Sequence, residues 1–337
     1  MIRVAKQLSN YEFKILIISY DNVPAYSFYK IPKNIKWIKC GNGLMPHCKA
    51  NLFRRIKQIY KLRKVLQNYG VTELITFHHG LYPRSFLATL FLNIKNIVSE
   101  RNSLSNYKYI KLNKFNVGFL SLFFADIITV QLKSYINDYP KLLRRRIKVV
   151  PNLLYINSTY QEPSLDSRIV TMMGRLCPQK NFTPLLDQYL ERPDLYGKLK
   201  IRIAGEGDLR NSFETKYKIL IDSGSLEIMG NINNIQEFLK SSSIFCFPSL
   251  WEGYPNSLVE ALSNGLPIVL TLRLRNLVDF VEHNLNGKIV EDINYLDTIL
   301  EMIDNIDRLK LMSKQSFEKY KQLREKSSIS NWVNLIN

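Results

Sequence analysis

The segment Met173-Gly174-Arg175-Leu176-Cys177-Pro178-Gln179-Lys180-Asn181 stands between an apolar run and an amphipathic stretch. A glycine after a strand lets the chain turn sharply, and the N-terminus of the next helix attracts anions. Arg175 as a fork and Lys180 as a point charge suit a diphosphate. The bland alternative is a strand-to-helix turn with two solvated charges. Ala204-Gly205-Glu206-Gly207-Asp208-Leu209-Arg210 repeats strand, glycine turn and helix start, a pattern that is weak alone. Pro248-Ser249-Leu250-Trp251-Glu252-Gly253-Tyr254-Pro255-Asn256-Ser257-Leu258-Val259-Glu260-Ala261 follows the apolar run Ile244–Phe247 and puts Glu260 eight residues after Glu252. Amides at Tyr254–Leu258 open a helix and can hold phosphate or sugar oxygens. Two carboxylates at the C-terminal edge of a parallel sheet suit hydrogen bonding to diols. The alternative makes Glu252 a surface acid and Glu260 a solvent-facing helix residue.

Such loops need strands and helices to aim them. Strand-like runs are Phe13–Ser19, Ile35–Lys39, Leu74–Phe77, Ile97–Ser99, Ile127–Gln131 and Ile147–Val150. A second set is Arg168–Met173, Leu199–Ala204, Leu226–Met229, Ile244–Phe247, Pro267–Leu270 and Lys288–Val290. Helical patterns include Asn51–Tyr69, Phe182–Glu191, Leu209–Ser223, Ile235–Ser241 and Ser257–Asn264. Continuous β-branched runs between helices argue for buried parallel strands in an α/β protein with helices on both faces. Two sets of strands suggest two doubly wound domains. The polar stretch Asn152–Ser167 reads as the linker, and Ser328–Asn337 reads as a last helix with Trp332, Leu335 and Ile336 as its apolar face.

The 337 residues fit two domains, and 46% hydrophobic with 23% charged residues excludes a disordered or low-complexity chain. The net charge of +18 is uneven: residues 1–155 hold 26 Lys/Arg against 6 Asp/Glu, and the rest hold 21 against 23. A basic half suggests an anionic partner. Cys40, Cys48, Cys177 and Cys246 fit no zinc or disulfide spacing and read as cytoplasmic thiols. The longest apolar stretch, Val117–Val130, contains Asp126 and is too short for a span. Met1–Asn10 is polar, unlike a signal peptide.

The three segments resemble the retaining family-4 glycosyltransferases of the GT-B fold (glycosyl transferases group 1), of the surface-polysaccharide type. In order they match that family's GRLxxQKN, GxGxLR and PSxxEGxPNSLxEA segments. Asn286-Gly287 before Lys288–Val290 is similar to its NG-x-LV, Ala125–Val130 to its ADxIITVS strand, and Lys148-Val149-Val150-Pro151-Asn152 to its KVxVIPN. The resemblance implies two Rossmann-like domains facing across a cleft. These are an acceptor-side domain over 1–155, a nucleotide-sugar-binding domain over 156–320, and a helix within 321–337 crossing back to the first. It implies that Arg175 and Lys180 neutralise the donor diphosphate and that Glu252 holds donor-sugar hydroxyls, these three forming the catalytic set. Glu260 takes the ribose hydroxyls. Gly253, Tyr254, Pro255, Asn256 and Ser257 line the sugar and phosphate, with Gly174 and Gly205 in the same donor site. No metal and no resident cofactor is implied, the nucleotide sugar being a co-substrate.

Three departures stand out. The family opens with a strand and a Gly-Gly loop, whereas here Arg3–Asn10 looks like the first helix and Phe13–Ser19 like the second strand. The first domain is therefore expected to lack its first central strand, which points to a start upstream of Met1 or to a gap in the sheet. Where many relatives carry a His after the strand Ile97–Ser99, this chain has Ser99-Glu100-Arg101-Asn102, with Arg101 about at that position. This SERN resembles a subset of surface-polysaccharide transferases and favours a UDP-hexose or UDP-N-acetylhexosamine over GDP-mannose. His78-His79-Gly80 follows Leu74–Phe77 at the same sheet edge. Arg101, His78 and His79 are acceptor-side candidates, against the alternative that a lone His is more often structural. Finally, Leu272-Arg273-Leu274-Arg275-Asn276-Leu277 replaces small residues and a Gly before the acidic position matched by Asp279.

Along Asn51–Tyr69 the apolar residues Leu52, Phe53, Ile56, Ile59, Tyr60 and Leu66 recur at helical spacing among Arg54, Arg55, Lys57, Lys61 and Lys64. A basic amphipathic helix fits an anionic bilayer. Lys108, Lys111 and Lys114 before Phe115–Phe124, and Arg144-Arg145-Arg146, extend the patch; the alternative is solvation of exposed helices. The leading expectation is a hexosyltransferase that moves a hexose or N-acetylhexosamine to a polyprenyl-diphosphate-linked glycan at the inner face of the cell membrane, in O-antigen or capsule synthesis. The alternatives are a catalytically impaired GT-B scaffold, a sugar-nucleotide epimerase, and a nucleic-acid binder. The last rests on charge alone and lacks a recognised module.

Overall fold

The computed structural model describes residues 1–11, 13–22, 25–27, 30–41, 51–104, 107, 116–154 and 159–337. Cys48, residues 155–158 of the linker, and Lys108, Lys111, Lys114 and Phe115 lie outside the described residues. The chain divides into two compact units, Met1–Leu153 with Ser327–Asn337, and Leu154–Lys326.

Runs of Ile, Val, Phe and Met with no polar alternation become strands buried on both faces, as in β7 (Ile169–Met173), β10 (Ile244–Phe247) and β11 (Ile268–Thr271) of the second unit. Beside them lie β8 (Lys200–Ala204), β9 (Leu226–Gly230) and β12 (Gly287–Val290), each with partly exposed positions. They form one parallel sheet in the order β12-β11-β10-β7-β8-β9. The order reverses between β7 and β10, so the loops leaving those two strands open the crevice where doubly wound sheets take ligands. The core joins Val170, Ile201, Ile203, Ile244 and Val269 of the strands to Leu185, Leu186 and Tyr189 on one helix and Ile299 and Met302 on another. Each fully buried Leu or Ile contributes about 1.5–3 kcal/mol, which makes this sheet a rigid base for its loops.

The stretch Leu209–Ser223, expected as one helix, is two: Arg210–Lys216 and Lys218–Asp222. Tyr217 leaves helical geometry at φ −106° and ψ 24°. Its ring is fully buried and its hydroxyl donates to Asp187 Oδ1 at 2.7 Å. Burial of the aromatic ring and its hydrogen bond outweigh one turn of helix.

In the first unit the strands are β1 (Leu16–Ser19), β2 (Lys36–Lys39), β3 (Glu73–Phe77), β4 (Lys95–Ser99), β5 (Ile127–Val130) and β6 (Ile147–Val149). They do not share one ladder. Among the described residues β1 and β2 pair with each other, while β3-β4-β5-β6 form a separate parallel sheet. The break lies between β1 and β3. Helix Leu52–Asn68 spans it from one side, its Leu62 and Leu66 packing with Ile18 of β1 and Leu74 of β3. Helix Ile2–Leu8 packs with the last helix, Ser330–Ile336, through Val4, Leu8, Trp332 and Leu335 against Ile97, Val150 and Leu153.

Helix Leu52–Asn68 also corrects a reading of the sequence. Its apolar positions do not form one stripe: Leu62 and Leu66 face the core, while Leu52, Phe53, Ile56 and Tyr60 are exposed among the basic residues. Of the arginine run, Arg144 is tied to the carbonyls of Tyr139 and Asn137, and Arg146 to those of Phe123 and Ala125. These two arginines satisfy local backbone as well as adding charge. No helix among the described residues is long and apolar enough to cross a membrane.

Candidate active site

The loops leaving β7 and β8 are nested by glycine. Gly174 and Gly205 lie at φ +150° and +147°, a region closed to most side chains. A Cβ on Gly205 would stand 1.9 Å from the Gly174 carbonyl oxygen. Hydrogen bonds lock the two loops: Gly174 N–H to Ala204 O, Leu176 N–H to Glu206 O, and Leu209 N–H to Leu176 O, all at 2.9–3.0 Å. Gly205, a candidate donor ligand in the sequence, is thus a packing surface for the Gly174 turn.

The turn Pro178–Lys180 ends at Asn181, which is left-handed at φ 51°. It lays the Lys180 stem over Gly174, where a Cβ would meet Cε at 2.6 Å. Lys180 Nζ lies 2.7 Å from Glu252 Oε1, with side-chain exposures of only 15% and 9%. The lysine also stands 5.5 Å from the Phe247 ring centre. This ion pair joins the loop after β7 to the loop after β10. Around it Gln179 Nε2 donates to Trp251 O at 2.8 Å, Leu250 N–H donates to Gln179 O at 2.9 Å, and Asn181 Nδ2 donates to Pro248 O at 3.2 Å. Arg175 is exposed, and its guanidinium has no partner among the described residues.

Beyond Glu252 the chain enters helix Asn256–Ser263. Tyr254 and Pro255 are buried, Gly253, Ser257 and Glu260 are half-buried, and Asn256 is exposed. Tyr254 packs edge-on against Phe280, and burial, aided by Asp279, pushes its phenol well above the ordinary range. Its hydroxyl and that of Ser249 are buried with no hydrogen-bond partner among the described residues. Buried polar atoms normally have one.

Asp292 is a residue that the motifs did not single out. Its carboxylate accepts from Thr271 Oγ1 at 3.0 Å, Tyr295 OH at 2.9 Å, Arg273 Nε at 3.1 Å and Asn181 Nδ2 at 3.4 Å. Burial opposes its charge, but the Tyr295, Thr271 and Arg273 hydrogen bonds win and hold its pKa below the usual carboxylate range. Arg273, unexplained in the sequence, is therefore half of an ion pair. Asp279 is paired more loosely with Lys326 at 3.9 Å. The only sequence signal for Asp292 was its place just past β12, at the ligand end of the sheet.

In the first unit the three candidates fall at the ends of β3 and β4. His79 is fully buried, and its N–H and its Nδ1 both reach Glu100 Oε1, the ring at 3.0 Å. Glu100, not singled out in the sequence, is buried with it and leaves Oε2 without a partner among the described residues. His78 is half-buried and stacks on His79 at 4.3 Å. Arg101 donates to Asn152 Oδ1 at 3.0 Å and lies 5.0 Å and 5.6 Å from the rings of Phe77 and Trp332. Burial lowers its pKa to about 10. Arg101 thereby ties the last helix to the sheet of its unit.

Among the described residues no group of His, Cys, Asp and Glu is placed to hold a metal ion. The fold matches solved GT-B structures. One is Anabaena HepE in complex with UDP, at TM-score 0.73 and 14% identity, covering 96% of this chain and 99% of that one. At that identity the likeness establishes the fold: two doubly wound units of the GT-B class. The family model "Glycosyl transferases group 1" matches residues 159–327, half of the chain, and the protein belongs to that family. Its curated relatives include an uncharacterized glycosyltransferase of Methanocaldococcus jannaschii, 28% identical over 251 residues, 62% of each chain. Another is the Escherichia coli UDP-Gal:alpha-D-GlcNAc-diphosphoundecaprenol alpha-1,3-galactosyltransferase, 34% identical over 155 residues, 44% of this chain and 40% of that one. The chain thus spans between 40% and 62% of the length of these two relatives.

Proposed function

We propose that the protein is a retaining hexosyltransferase. It moves a hexose or N-acetylhexosamine from a UDP-sugar to a polyprenyl-diphosphate-linked glycan in surface-polysaccharide synthesis. The observation that carries this reading is the Lys180–Glu252 pair, built from two motif loops at the switch point of the second sheet. Glu252 holds Lys180 in place through the 2.7 Å ion pair. Lys180 and the exposed Arg175 neutralise the diphosphate as its bond to the anomeric carbon breaks, with no metal required. The acceptor hydroxyl oxygen bonds to that carbon on the face the diphosphate vacates, and its proton leaves with the diphosphate. Glu260 holds the ribose hydroxyls, and the hydroxyls of Ser249 and Tyr254 face an oxygen-rich ligand. The UDP in the HepE structure and the lipid-linked acceptor in the name of the E. coli relative support this choice of substrates.

The exposed Leu52, Phe53, Ile56 and Tyr60 among Arg54, Arg55 and Lys57 support docking of the first unit on an anionic bilayer at the inner face of the cell membrane. The broken ladder between β1 and β3 favours a second reading, a donor-binding protein without turnover. Incubation with UDP-sugars and a membrane extract separates the two. Transfer that disappears in Glu252→Ala supports the enzyme, with the product's anomeric configuration read by NMR. Donor binding without any product supports the second reading.

A further inference from the structure

His78 has an unusual backbone for a residue with a side chain, at φ 84° just past the end of β3. Such strain persists only where the surroundings enforce it, and it concentrates at functional positions. Here the surroundings do enforce it. His78 N–H continues the ladder to Ser99 O at 3.0 Å, and the next residue is clamped through its own N–H and ring to the buried Glu100. The result turns the His78 ring back on its own chain, where Nδ1 accepts from Gly80 N–H at 2.9 Å. A nitrogen that accepts from an amide carries no proton, so the neutral ring must carry it on Nε2. Burial pushes the His78 pKa below the usual histidine value, with His79 adding to that and Glu100 opposing it, so the neutral form prevails near neutral pH. Nε2 has no partner among the described residues. The His78 ring is also met edge-on by Tyr107, at 5.3 Å.

The site lies at the C-terminal end of a parallel strand, the ligand end of such sheets. Helix Tyr82–Thr89 begins just beyond it with no side-chain cap, so its amide dipole adds positive potential. The unit around it holds 26 Lys/Arg and 6 Asp/Glu over residues 1–155. Glu100 is the nearby counter-charge, and it is buried against His79.

We infer that His78 binds a phosphoryl oxygen of the acceptor by donating Nε2–H, with His79, Glu100 and Gly80 as the residues that position it. The inference rests on the acceptor reading above and makes it specific. His78 is a donor to the acceptor's diphosphate and not the base that takes the hydroxyl proton, because its only available ring nitrogen is already protonated.

The chain has four histidines, so their ring nitrogens are separable by 15N NMR on the full protein. The expected spectrum shows His78 protonated at Nε2 and bare at Nδ1. Inorganic pyrophosphate, added after UDP has filled the donor site, should then shift the His78 resonances. His78→Ala should weaken that pyrophosphate binding by about tenfold or more, whereas His78→Gln, which keeps an N–H near the Nε2 position, should restore most of it. Gly80→Ala places a Cβ 3.0 Å from Nδ1 and 3.1 Å from Cε1 and should give an intermediate loss with the melting curve unchanged. A proton found on Nδ1, or equal pyrophosphate affinity in wild type and His78→Ala, overturns the inference. UDP that binds while His78 stays silent counts against this inference alone. UDP that fails to bind counts against the donor site, and the pyrophosphate titration without UDP still decides the role of His78.

Discussion

The two units solve the same problem with different completeness. The second keeps six strands in one ladder and hangs its motif loops from the two that meet at the switch point. Among the described residues the first splits its strands into two sheets, with helix Leu52–Asn68 bridging the break. Their polar pairs differ accordingly. Lys180 and Glu252 join loops that are distant in sequence, and Arg175 beside them has no partner among the described residues. His79 and Glu100 are sealed at 0% side-chain exposure, and the neighbouring His78 is half-buried. The undivided sheet brings two distant loops into one polar pair, whereas the buried pair of the divided unit fixes the loops after two adjacent strands.

If that contrast is right, damage to the second unit's pair should have the largest effect. Lys180→Ala and Glu252→Ala should each lower the transfer rate by about 10²–10³-fold, measured by product formation. Each single change also leaves a poorly solvated charge without its partner, at a cost of about 3–5 kcal/mol. The double variant should recover part of that loss in a urea-denaturation cycle, because neither charge is then stranded.

Next comes the nesting of the loops. Gly205→Ala forces a Cβ into the Gly174 carbonyl and should destabilise the protein by about 1–3 kcal/mol, read from the urea midpoint. It should weaken UDP binding at the same time. A variant that loses stability and keeps UDP affinity would separate the two loops and break the comparison at its base.

On the first unit, Phe53→Asp with Ile56→Asp should reduce sedimentation with anionic liposomes by about tenfold while leaving UDP affinity unchanged, since neither residue packs in the core. An unchanged liposome profile would leave the exposed face as simple solvation.

The smallest effect concerns Asp292. Its folded pKa is depressed, so its contribution to stability is present above the unfolded carboxylate value, about 3.9, and is lost as pH falls through the lower folded value. Asp292→Asn should flatten that part of the urea midpoint's dependence on pH, below about pH 4. A parallel pH curve in the variant would remove Asp292 from the account of how Asn181 and Arg273 are held.

Much of the architecture was legible because buried parallel strands leave a plain signature. Uninterrupted runs such as Ile244–Phe247 and Ile268–Thr271 are buried at every position. The motif loops were legible because a glycine between strand and helix has few uses. Partnerships across the sheet were not. Spacing along the chain says nothing about Lys180 and Glu252 touching over 72 residues; that follows from β7 and β10 being neighbours. Glu100 was overlooked for the same reason, since its partner lies at the end of the adjacent strand. Helix Leu52–Asn68 misled because its apolar residues serve two surfaces, and periodicity alone cannot divide them. The setting of Arg101 was not legible either, since the rings of Phe77 and Trp332 that receive it are far apart in sequence.

The central claim is that Lys180 holds a donor diphosphate and Glu252 its sugar. Calorimetric titration of UDP and of a UDP-sugar panel into wild type, Lys180→Ala and Glu252→Ala tests it most directly. The account predicts that Lys180→Ala weakens UDP and UDP-sugar alike by about tenfold or more. It predicts that Glu252→Ala removes the added affinity of the UDP-sugar and spares more of the affinity for UDP. Equal affinities in all three proteins, or binding of no UDP compound by wild type, would contradict it.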